Sequence, residues 1–221
     1  MEMNIWEHTN SWWKMFNTRL LRRASLRGFS LIELLVVVGI FAMISSVILA
    51  NHNRFNSSVL LGSLAYNIAL SIREAQVYGL SVKQFSSQFQ VGYGVRFTTG
   101  APSYSLFADV SQNGNPPNKK YDVTDSIVDT YSVGQGHVIQ KFCGETSSQV
   151  QQCSDGSTAV TIDHLDIVFF RPEPDANISS SEPGYYSRAI IIVASPNLNT
   201  RTITIASTGQ ITVSGDQGTG G

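Results

Sequence analysis

The sequence predicts an α+β protein: a long N-terminal helix, transmembrane in its first half and amphipathic in its second, packed on a mainly antiparallel β-sheet head domain. Three observations predict it. Residues 29–50 form one apolar run, residues 51–80 carry apolar side chains at three- and four-residue intervals, and from Val91 onward the apolar residues alternate. A segment apolar all round that passes without a break into a one-sided one reads as a single helix. The change to a period of two marks where strands begin.

Residues 1–28 precede the apolar run and read as a basic leader peptide. They hold five cations (Lys14, Arg19, Arg22, Arg23, Arg27) against two anions (Glu2, Glu7), whereas the rest of the chain holds ten cations and fourteen anions. Lys and Arg beside a span are retained on the cytoplasmic side. The leader is therefore expected inside the cytoplasmic membrane and the head outside it. Met15 offers an alternative start that leaves the leader shorter and equally basic.

Residues 29–50 (FSLIELLVVVGIFAMISSVILA) contain a single charge, Glu33. Their 22 residues cover about 33 Å as a helix, enough to cross a bilayer core. A secretory signal peptide is disfavoured, because the run is too long and no small-residue cleavage site ends it. A plain anchor leaves the carboxylate unexplained, since a charge inside a span costs several kcal/mol unless it finds a partner. A cut between Gly28 and Phe29 supplies one. It creates an α-amino group four residues before Glu33, and assembly can then bring one subunit's amine to another's carboxylate.

The helical pattern continues through Val59, Leu60, Leu64, Ile68, Ile72, Ala75 and Val77, with Arg54, Arg73 and Glu74 opposite. Gly62 is its weak point and Gly79 its expected C-terminal stop. A helix from Phe29 to Gly79 would be about 75 Å long. Strands are expected at Val91–Thr98 and Ser103–Asp109 around a turn at Gly100-Ala101-Pro102, then at His137–Phe142, Thr158–Asp163 and Leu165–Arg171, the last stopped by Pro172. Ala189–Ala194, Arg201–Ala206 and Ile211–Val213 follow, and Gln112–Asn118 reads as a loop. The chain thus divides into leader 1–28, transmembrane and assembly helix 29–50, amphipathic continuation 51–80, β-rich head 81–213 and a flexible, Gly-rich tail 214–221.

Cys143 and Cys153 are the only cysteines, and both follow the span. With the leader inside, they reach an oxidising compartment, where a disulfide forms and persists. Closing so short a loop contributes on the order of 2–3 kcal/mol. A free buried pair and a metal site are the alternatives, the latter without a paired CxxC or a ligand cluster.

Arg27-Gly28-Phe29-Ser30-Leu31-Ile32-Glu33, after a basic leader and before an apolar stretch, resembles the cleavage and methylation signature of type IV prepilins and type II secretion pseudopilins. The resemblance implies that Gly28 is the residue before the cut made by prepilin peptidase. It implies that Phe29 is the new N-terminus, N-methylated by the same enzyme, and that Glu33 guides subunit docking. Ala50 stands where the family often has proline, although Ser45, Ser46 and Asn51 permit local unwinding. GYGVRF, IVFFRPEPDA and ITIASTGQITV further resemble the H-type minor pseudopilins and related minor pilins. These are strand-and-turn motifs, and Gly209 among them is expected to supply a positive φ in a hairpin.

No catalytic pattern emerges. His8, His52, His137 and His164 are scattered without HExxH, and neither GxSxG nor a phosphate loop is present. His164 reads as a polar residue at a strand end. Asp122, Asp125 and Asp129 bring calcium to mind but lack the EF-hand order of oxygen ligands and glycine. No enzyme activity, metal or cofactor is expected. The mature part is acidic, and Lys119-Lys120 is its one adjacent cation pair, so nucleic acid is not expected either.

The expected role is a structural, minor subunit of a type IV pilus or type II secretion pseudopilus. Its implied partners are prepilin peptidase, other pilin or pseudopilin subunits, membrane lipid and an inner-membrane assembly platform driven by a cytoplasmic ATPase. The rivals are a DNA-binding minor pilin of a competence system and a membrane-anchored domain that does not assemble.

Overall fold

The structure, a computed structural model, describes residues 28–81, 83–110, 116–181 and 184–215, with the backbone alone for 50–56. The leader up to Arg27 with its start at Met1 or Met15, residues 112–115 of the loop Gln112–Asn118 and the tail beyond Gly215 lie outside the described residues. So do the side chains of Ala50, Asn51, His52 and Arg54. Two compact units divide the chain, residues 1–50 and 51–221.

One helix, α1 (Leu31–Leu80), contributes to both units. It starts where the carbonyl of Ser30 accepts the N–H of Leu34 at 3.1 Å. In the first unit, Leu31–Leu49 is apolar and long enough to cross a membrane, with a mean hydropathy of 2.6, and its side chains are almost all exposed. In the second unit, α1 buries Leu61, Ala65, Ile68, Ile72 and Ala75. The buried row is displaced from the expected one, because Val59 and Val77 are exposed and Leu60 and Leu64 only half-buried. Apolar residues occupy both rows at this end of the helix, and periodicity alone does not choose between them.

Gly79 lies inside α1, one residue before its end, and has no left-handed φ. It is therefore not the helix stop expected of it. A Cβ there would overlap the carbonyl oxygen of Phe169 and lie 2.8 Å from its carbonyl carbon. This glycine serves close packing rather than termination.

Among the described residues, eleven strands follow α1 in two antiparallel sheets. The first has the order β3 (Ser126–Ser132), β2 (Ser103–Asp109), β1 (Gly92–Thr98), β6 (His164–Phe169), β7 (Ala176–Ser179), β8 (Tyr185–Tyr186). The second has the order β11 (Ile211–Gly215), β10 (Thr200–Ala206), β9 (Arg188–Ala194), β4 (Val138–Glu145), β5 (Gln151–Cys153). Tyr93, Val95 and Phe97 of β1, Leu165 and Ile167 of β6, Ile191 and Val193 of β9, and Ile203 and Ile205 of β10 meet the buried row of α1 in one core. The α+β class is as the alternation and the helical run predict, with two sheets in the head.

Several strands differ from expectation. β3, β5, β7 and β8 have no counterpart in the predicted set: three are short, and β3 is a largely exposed edge whose polar residues hide any alternation. Thr158–Asp163 is not a strand. The Thr158 hydroxyl accepts from Cys153 N–H at 2.9 Å and donates to the Val160 carbonyl at 2.8 Å, which turns the chain locally, leaving one bridge from Thr161 to Cys153. β11 extends through Ser214 and Gly215, the first two residues of the predicted tail. Gly209 does sit in the β10–β11 turn at φ +79°.

Candidate functional site

Gly28, Phe29 and Ser30 precede α1, and all three are exposed. Glu33 follows in the first turn and is exposed as well. Ser30 stands at the N-cap and Glu33 at N3, the spacing of a capping box, and a carboxylate in the first turn is favoured by the helix dipole. Glu33 thus has a local reason to be acidic beside the proposed docking role. Gly28 has no such local reason. Among the described residues, a Cβ added to it meets nothing within 4 Å.

Cys143 and Cys153 are bonded to each other, with S–S 2.02 Å, and face each other across β4 and β5. Both are buried at 2% exposure. The bridge fastens the three-residue edge strand β5 to the second sheet, and so acts as a structural link.

The remaining residues considered from sequence are engaged in folding contacts. Asp122 accepts the backbone N–H of Thr124 at 2.8 Å and, at its other oxygen, the carboxamide of Asn118 at 3.1 Å. Asp125 accepts Asp122 N–H at 2.8 Å and Val110 N–H at 3.1 Å, and Asp129 accepts Thr130 N–H at 2.7 Å. The contacts of Asp122 and Asp125 make turns of the segment before β3, that of Asp129 lies within β3, and among the described residues no group of three or more His, Cys, Asp and Glu is placed to hold a metal ion. His137 is buried, with Nδ1 3.3 Å from the Gly134 carbonyl. His164 is half-buried rather than an exposed strand end, with Nδ1 2.8 Å from Asp163 Oδ1 and Nε2 3.8 Å from Asp166 Oδ2. Lys119 and Lys120 place their ammonium groups 5.9 Å from the Phe170 ring centroid and 5.2 Å from that of Tyr185.

Among the buried carboxylates, Asp166 and Asp109 were not anticipated. Asp166 stands opposite Arg96 in the β1–β6 ladder and pairs with it at 2.9 Å, and its Oδ2 also accepts Tyr121 N–H at 3.3 Å. Burial pushes the Asp166 carboxyl up, against the pull of Arg96 and His164. Asp109, 1% exposed, accepts Lys119 N–H at 2.7 Å and Asn118 N–H at 3.2 Å. Its carboxyl is pushed up to about 7, chiefly by burial and further by the charges of Asp125 and Asp122. Together the two carboxylates tie residues 118–121 across the first sheet. A charge inside an apolar strand such as HLDIVF was the available signal for Asp166.

No curated protein and no solved structure matches the chain. Residues 23–49 match the family described as the prokaryotic N-terminal methylation motif, which covers Gly28, Phe29 and Glu33 together with the apolar start of α1. That motif is characteristic of type IV prepilin-like proteins, and over these residues, on the apolar start of α1, the chain is similar to them.

Proposed function

We propose that the chain is a precursor cut between Gly28 and Phe29 by prepilin peptidase, N-methylated at Phe29, and assembled through α1 as a minor subunit of a type IV pilus or type II secretion pseudopilus. Before assembly it is held in the cytoplasmic membrane by residues 29–50, with the leader 1–28 inside and the unit 51–221 outside. Its partners are then the peptidase, neighbouring pilin or pseudopilin subunits, membrane lipid and an inner-membrane platform. The observation that carries this reading is the methylation-motif match at residues 23–49 seated on an apolar helix. The open space around Gly28 among the described residues is compatible with it.

Glu33 pairs in this reading with the amine of a neighbouring Phe29, each lowering the cost of burying the other. Two variants test the two halves separately. Gly28→Ala is expected to keep the leader, so that intact-mass measurement finds the uncut chain; a mature, N-methylated Phe29 end in that variant would sink the peptidase assignment. Glu33→Gln preserves a residue able to complete a capping box but removes the charge. Normal cleavage with loss from sheared filaments is the expected outcome, and undiminished incorporation would leave Glu33 with its capping role alone. The DNA-binding alternative gains nothing from Lys119 and Lys120, whose ammonium groups lie over aromatic rings.

A further inference from the structure

Within the unit 51–221, a groove of about 500 Å³ runs between α1 and the edge strand β3. Leu64, Leu70 and Glu74 line it from the helix, and Asp129 and Tyr131 from the strand. Glu74 Oε2 accepts the Tyr131 hydroxyl at 3.0 Å and the Glu74 carboxylate also engages the Tyr78 hydroxyl, whereas Asp129 gives Oδ1 to Thr130 N–H and keeps its other oxygen. Among the described residues neither forms an ion pair. Lys83 is the cation whose field reaches Glu74, and its ammonium lies over the ring of Tyr78, 2.9 Å from the centroid. Tyr131 senses both acids: burial first, then Glu74 and Asp129, push its hydroxyl above the ordinary phenol range.

The walls and the charge together describe one kind of occupant. Leu70 is 64% exposed beside the acids, which gives an apolar surface for a methylene stem next to acceptors for a cationic head. An added β-strand is a poorer fit. Asp129 occupies the N–H of its neighbour Thr130, and the β2–β3 ladder shifts register between Leu106 and Phe107, both of which blunt an edge.

We propose that this groove seats an arginine or lysine side chain of a partner protein, its stem along Leu64 and Leu70 and its charge between Glu74 and Asp129. The inference concerns the head unit alone and does not rest on cleavage or filament assembly.

The test uses the full chain in detergent micelles with its tyrosine rings isotope-labelled for NMR. The probes are N-acetyl-arginine methylamide, N-acetyl-lysine methylamide and the neutral N-acetyl-glutamine methylamide. The basic probes are expected to shift the ring signals of Tyr131 and Tyr104, the glutamine probe to leave them in place. Asp129→Asn and Glu74→Gln are each expected to weaken the basic probes about fivefold. Asp129 is exposed on an edge strand, and unchanged ring dispersion of the free Asp129→Asn protein certifies its fold. An equal response to all three probes overturns the proposal, as does a basic-probe affinity unchanged in both variants. The same shifts produced by Mg²⁺ alone would overturn it in favour of a metal site.

Discussion

Asp109 holds the turn before β3 against the first sheet with two backbone N–H groups, and it does so from a nearly water-free position. The native state binds its proton up to about pH 7, whereas the unfolded chain releases it near the ordinary 3.8. Between those values the folded protein carries more protons, so Asp109 stabilises the fold most at the acid end and loses that contribution as pH rises toward 7. The displacement corresponds to on the order of 4 kcal/mol across the window. The expected result is a thermal midpoint of the head unit that climbs when pH is lowered from 8 to 5.5, with a visibly flatter climb in Asp109→Asn. Asp125 and Asp166 are displaced in the same direction, so a residual slope persists. A slope equal in both proteins would remove Asp109 as its source. Nothing in SYSLFAD marked this residue as buried, because a carboxylate at the end of a strand ordinarily faces water.

At the scale of elements, the two glycines of α1's second half make opposite demands. Gly62 has nothing within 4 Å of a built Cβ, whereas Gly79 faces the backbone of Phe169 at the end of β6. Gly62→Ala is therefore expected to stabilise the head by about 0.5–1 kcal/mol through helix propensity. Gly79→Ala is expected to destabilise it by about 1–3 kcal/mol, because the obstacle is main chain and cannot rotate aside. Urea unfolding followed by near-UV circular dichroism compares the two, and a stabilised Gly79→Ala protein would mean that α1 and β6 do not approach so closely. The same contrast explains what could be read before the structure. The long helix, β1, β2, β6, β9 and β10 were legible because their buried faces are written in Val, Ile, Phe and Leu at a clear period. The short strands β5, β7 and β8 were not, since two to four residues carry no period. The first sheet's exposed edge, β3, was missed because SIVDTYS alternates neither side in nor side out. At the N-terminus the candidate site is a proposal drawn from the sequence around Gly28, Phe29 and Glu33, where the motif match falls, whereas the groove beside β3 required the tertiary contact of Tyr131 with Glu74.

At the scale of the whole chain, leader charge, apolar helix and disulfide are consequences of one proposed topology. If residues 1–28 stay in the cytoplasm and Leu31–Leu49 crosses the membrane, then Cys143 and Cys153 meet an oxidising compartment, and their adjacency across β4 and β5 lets the bridge close. The bridge depends on which side of the membrane the head reaches, so disturbing the helix should change the redox state of two distant sulfurs. Val38→Arg combined with Ala42→Arg places two guanidinium groups near the middle of the span, raising the cost of insertion by about 5–7 kcal/mol. Wild-type chain, alkylated without reduction, is expected to take up no thiol adduct by intact mass. The doubly substituted chain, retained in a reducing cytosol, is expected to take up two. It should also unfold more easily, by the 2–3 kcal/mol or so that a loop this short contributes. Bonded cysteines in the retained variant would separate the disulfide from membrane passage, and free thiols in the wild type would argue that the head faces the cytoplasm.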